Sequence, residues 1–148
     1  MARLKITTDQ DFLRKISKPV TSFDSHLHRV VDDMRDTLSY VNGLGLAAVQ
    51  IGVLYRVCLV NDRGEVVELV NPEIIRQSSP KIDEEACLSI PNEFYMIERP
   101  SRVLVRAYDR YGKKFEREFK GLSSICAAHE IDHLNGIIIS DKESRAAR

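Results

Sequence analysis

The stretch CAAHEIDHLNG, residues 126–136, sets His129 and His133 four apart with Glu130 between them. In extended chain those imidazoles would stand about 13 Å apart. In a helix they fall one turn apart on one face, where both reach a single metal ion while Glu130 stands beside it. The motif therefore demands a helix late in the chain. Gly121 opens that helix, Leu122, Ile125 and Cys126 share the stripe of the histidines, and Asn135-Gly136 closes it with a C-terminal cap signal. The apolar company points this stripe at the core. The plainer reading, a solvated helix with two surface histidines, fits less well, because a buried, unpaired pair of imidazoles costs free energy that a shared ion removes.

A catalytic metal usually has three protein ligands and one open position, so a third ligand is needed. The extended pattern H-E-x-x-H-x-x-G-x-x-H keeps its glycine as Gly136, but its last position is Ile139, and the acids that follow, Asp141 and Glu143, lie in a polar tail. The third ligand must come from upstream. Cys126 lies seven residues before His133, about 10.5 Å along a helix axis, too far for bonds of about 2 Å to one ion; it reads as a small buried hydrophobe. Cys58 in YRVCLV alternates like a strand core residue, and His26 and His28 sit among surface charges. Cys87 differs. It stands in DEEACLSIP, between an acidic run and an extended Ser-Ile-Pro, a loop setting from which a thiolate can turn toward a metal. Cys87, His129 and His133 with an open fourth position form a recognised catalytic set, and Glu130 is placed to take a proton from water.

The rest of the chain has to surround that helix. Residues 24–41 carry Leu27, Val30, Val31, Met34, Leu38 and Tyr40 near helical spacing after Asp24 or Ser25 as N-cap, which predicts an N-terminal amphipathic helix. YRVCLVNDRGEVVELVNPEII and RVLVRAYDRYGKKFEREF read as β-hairpins, the first with a turn somewhat longer than two residues, the second turning at Asp109 to Gly112. The fold class is α+β, antiparallel strands around a late metal-binding helix, and the 148 residues suit a single domain spanning 1–148. Lys plus Arg and Asp plus Glu both number 22, which argues against sequence-specific nucleic-acid binding. Without an apolar leader or membrane-length window, and with three irregularly spaced cysteines, the chain is expected to be soluble and cytoplasmic.

With those residues in view, the sequence resembles the peptide deformylases, hydrolases that remove the N-formyl group from nascent polypeptides. GLGLAAVQ (Gly43–Gln50), EACLS (Glu85–Ser89) and HEIDHLNG (His129–Gly136) are similar to the three family motifs in order, and FLRKISKPV, LVNPEII and ERPSRV extend the likeness over nearly the whole chain. The resemblance implies that Cys87, His129 and His133 hold a divalent ion, ferrous iron expected and zinc an alternative. It implies Glu130 as general base and then acid, and Gln50 with the backbone N–H of Leu88 as donors to the oxyanion. Gly43 and Gly45 would let backbone approach the substrate, although a flexible turn accounts for them equally well. Leu122, Ile125 and Cys126, with Leu44 opposite, would line a pocket for the methionine side chain, a pattern that a packed core also produces. The implied partner is a formyl-methionyl peptide, with transient ribosome association and no membrane. Val49 stands where the family often has proline or threonine, a milder change, and two positions depart further: Ala86 replaces a glycine before Cys87, and Ala128 a glutamine before His129. They favour, as an alternative, a deformylase-like paralogue with another N-acyl substrate or low activity; a non-catalytic metal-binding module is a further reading.

Overall fold

The computed structural model describes residues 2–144. After a short helix α1, Gln10–Leu13, comes α2, Ser25–Val41. The Asp24 carboxylate caps α2 by accepting the Leu27 amide at 3.0 Å, and Asn42, left-handed at φ 53°, ends it. Leu27, Val30, Val31, Met34 and Leu38 are buried along one face.

Five antiparallel strands follow in a sheet ordered as in the chain: β1 Gly45–Ala47, β2 Val57–Asp62, β3 Glu65–Cys87, β4 Ile90–Tyr108 and β5 Lys114–Lys120. Alternation along β1 and β2 splits the core in two. Leu46, Val57 and Leu59 pack with the apolar face of α2. Ala47, Cys58 and Val60 pack with Ala127, Ile131 and Leu134 of the last helix, α3, Leu122–Leu134. The centre of the sheet is thus held between two helices, and α3 crosses β1, β2 and β4 on the face where the histidines lie. Among the described residues no helix is long and apolar enough to cross a membrane.

Two local expectations are corrected. The turn of the first hairpin has two residues, because Asp62 pairs directly with Glu65. Arg63 at φ 53° and Gly64 at φ 97° give it the twist of the flanking strands, and the Asn61 side chain secures it by accepting the Gly64 amide at 2.8 Å. Cys87 ends a strand and does not sit in a loop. β3 pairs first with β2 and, beyond Val70, with β4, bending at register shifts that include one between Glu85 and Cys87. Only Leu88 and Ser89 separate β3 from β4. At the far end of α3, Gly136 has φ 73° and a Cβ there would collide with the Arg14 carbonyl, so the cap requires glycine for both conformation and space.

Candidate active site

The site forms where the end of β3 meets α3. Helical spacing stacks His129 and His133 with ring centroids 5.1 Å apart. Strand alternation aims Glu85 and Cys87 at them from one face of β3. Cys87 Sγ lies 3.3 Å from His133 Nε2, and one donor atom each from Cys87, His129 and His133 falls within 4.8 Å of the others. The His129 Nδ1 is committed to Glu85 Oε1 at 2.8 Å, which leaves Nε2 for the ligand position. A thiol and two imidazoles converging in this way fit a divalent transition metal.

Burial and neighbouring charge set the protonation of these groups. Burial, helped by the charges of His129 and Arg99, drives the His133 pKa down to about 3, so that ring is neutral, the form in which a histidine ligates. Burial works against a charged His129, but hydrogen bonds with Cys87 and Glu85 and the nearby Glu130 outweigh it and raise its pKa to about 10. The acidic neighbours thus favour positive charge on the His129 ring, while His133 stays neutral. Behind His129, the guanidinium of Arg99, 4% exposed, grips Glu85 with Nε to Oε2 at 2.8 Å and Nη2 to Oε1 at 3.2 Å, and also holds Asp132 on α3. Burial pushes Glu85 up, but its bonds to His129 and Arg99 prevail and keep it below the ordinary carboxylate range. Arg99 therefore ties the strand that carries Cys87 to the helix that carries both histidines.

Glu130 points into the same space, and its Oε1 is buried without a hydrogen-bond partner among the described residues. Burial raises its pKa to about 7, the lowering influence of His129 and Arg99 being smaller. A carboxylate poised there can both accept and release a proton near neutral pH. Gly45 is what lets it fit: a Cβ at that position would meet Cys126 Sγ at 2.5 Å and both Glu130 Oε2 and the Leu59 carbonyl at 2.9 Å. The need for glycine at 45 comes from the protein's own packing and not from a flexible turn, since Gly45 lies within β1. Gln50 lies in the 3-10 turn after β1, is 2% exposed, and turns Nε2 toward Ser89 Oγ at 3.1 Å and Cys87 Sγ at 3.9 Å.

A cavity of about 550 Å³ opens beside these groups. Its wall includes Gly43, Leu44, Gly45, Leu88, Leu122, Ile125 and Cys126 along with Cys87, His129 and Glu130. This corrects the expectation for Leu122 and Ile125 of the α3 stripe, which face the cavity, whereas Cys126 and His133 are buried as expected. Leu122 is 61% exposed and Ile125 half-buried on the cavity side, while Ala127, Ile131 and Leu134 on another face of α3 supply the core.

Residues 4–148 match the family model for polypeptide deformylase. The chain belongs to the polypeptide deformylase family. A peptide deformylase of Caldicellulosiruptor bescii is 47% identical over 98% of this chain and 88% of its own length. The crystal structure of a peptide deformylase from Legionella pneumophila superposes with a TM-score of 0.91 at 41% identity, covering all of this chain and 89% of that one. That of Thermotoga maritima gives 0.89 at 37% identity, covering 97% and 98%.

Against the deformylase pattern, Ala86 costs no backbone strain, since it lies in β3 with its side chain exposed at the cavity wall. Ala128 is buried at 6% exposure, between Ser124 and Asp132 by helical spacing. Sequence reasoning assigned no role to Glu85, Arg99, Asp132 or Ser89. The available signal was chemical: a metal-binding histidine almost always gives its second nitrogen to a carboxylate or carbonyl, which makes an acid two residues before Cys87 a candidate.

Proposed function

We propose that this deformylase hydrolyses the N-formyl group of formyl-methionyl peptides, with residues 1–148 acting as one catalytic domain. The observation that carries the reading is the convergence of Cys87, His129 and His133 with the unpartnered Glu130 Oε1 on one apolar-walled cavity. Cys87, His129 and His133 hold the metal; ferrous iron is the proposed native ion and zinc a working substitute, both compatible with thiolate and imidazole donors. When bound, a divalent ion in this set supplies Lewis acidity, lowering the pKa of a water molecule and polarising a carbonyl.

The chain's own residues do the rest. Glu130 takes the proton from the attacking water as its oxygen bonds to the formyl carbon. Gln50 Nε2 and the Leu88 backbone N–H donate to the carbonyl oxygen as it gains negative charge, an interaction stronger in the transition state than in the ground state. When the C–N bond breaks, Glu130 returns the proton to the leaving nitrogen, releasing formate and a free methionyl amine. Leu44, Leu122, Ile125 and Cys126 give the methionine side chain an apolar wall, and among the described residues no lysine or arginine lines the cavity. Such a substrate places the enzyme in the cytoplasm, in transient contact with ribosomes where formylated chains emerge.

The competing reading, a paralogue for another N-acyl group, is separated by comparing formyl-Met-Ala with acetyl-Met-Ala. The expected result is a kcat/KM at least about a hundredfold higher for the formyl peptide, because a methyl group crowds the reacting carbon against Glu130 and the metal ligands. Equal turnover, or preference for the acetyl peptide, would favour the paralogue.

A further inference from the structure

The Gln50 amide has only one orientation open to it, and the residue that fixes its donor end is Ser89. The Ala47 backbone N–H, which can only donate, lies 2.9 Å from Gln50 Oε1 and identifies that end as the oxygen. The opposite end is therefore the NH2 group, with one hydrogen directed to Ser89 Oγ at 3.1 Å and the other toward the Cys87 side of the cavity. The Gln50 carbonyl is held as well, by the Thr7 amide at 2.7 Å. Ser89 is 1% exposed and stands two residues beyond Cys87, at the start of the return from β3 to β4. A hydroxyl buried to that degree needs a partner, and among the described residues Gln50 supplies one.

We propose that Ser89 is a positioning residue for Gln50. It occupies one amide hydrogen so that the second points at the reacting carbonyl, and it links the donor to the strand that carries Cys87, so that ligand and donor keep their spacing. This inference rests on the deformylase reading above. Without the Ser89 hydroxyl the Gln50 side chain keeps its anchor at Ala47 but gains freedom at the donor end. The loss falls on transition-state stabilisation, because aligned donors matter most where charge develops.

The test is a double-mutant cycle on metal-loaded protein: wild type, Ser89→Ala, Gln50→Ala and the double variant, each assayed for formate release from formyl-Met-Ala. Ser89→Ala is expected to lower kcat by roughly tenfold to a hundredfold, the range seen for supporting hydrogen bonds around active-site groups, with KM changed less than about threefold and metal content unchanged. In the Gln50→Ala background the same substitution is expected to have almost no further effect. An unchanged kcat in Ser89→Ala, or an equal drop with and without Gln50, would overturn the proposal. Ser89→Cys, which keeps the volume but accepts weakly, gives the same reading if the alanine variant is poorly soluble. Absence of formate release by the wild type would instead count against the deformylase reading itself.

Discussion

Replacing Glu130 with glutamine is expected to leave the metal content unchanged and to lower kcat by about a hundredfold or more. The substitution preserves shape, so the close fit against Gly45 and Cys126 survives, but an amide cannot take a proton from water and deliver it to an amine. The carboxyl is 5% exposed and its Oε1 has no partner among the described residues, so no hydrogen bond seen at that atom is lost. Its pKa, raised to about 7 chiefly by burial, lies where both directions of proton transfer cost little. Metal per chain and kcat measured on the same preparation decide the matter. Loss of the metal together with the activity would make Glu130 a ligand and remove it as the base.

Cys87→Ala is expected to abolish metal binding and with it all measurable turnover, whereas Cys126→Ala retains the metal and loses roughly 1 kcal/mol of stability. Both cysteines are buried, but their sulfurs face different partners. Cys87 presents its sulfur to His133 at 3.3 Å. Cys126 turns its thiol to the Leu44 carbonyl at 3.2 Å, and burial pushes its pKa well above the ordinary thiol range, so it stays protonated. Metal titration of both variants, with a denaturation midpoint for Cys126→Ala, checks the pair. Equal metal loss in both would show that the helix does not separate Cys126 from the ion.

What could be read from the sequence was local. The i, i+4 histidines, the Asp24 cap and the Asn135-Gly136 stop each depend on neighbours within two turns, and the helices formed there. Elimination among the cysteines and histidines singles out Cys87, but the sequence does not mark the strand around it. Residues 76–84 of β3 are mostly exposed and polar, so the apolar alternation that marks a half-buried strand is missing. The contacts of Arg99 with Glu85 and Asp132 span 14 and 33 residues, and each partner alone reads as a surface charge. Leu122 and Ile125 carry the period of a core stripe, and only the position of β1 and of the β3 end turns that stripe into a cavity wall. The requirement for glycine at 45 likewise exists only once α3 has packed against β1.

Metal-dependent deformylation at Cys87, His129 and His133 is the proposed activity. Its most direct test is formate release from formyl-Met-Ala by metal-stripped protein titrated anaerobically with ferrous iron, and in parallel with zinc. The expected result is no activity without metal, activity rising to a plateau at one ion per chain, and a higher plateau with iron than with zinc. Formate release that persists in the fully stripped protein, or no release at any loading with either ion, would contradict it.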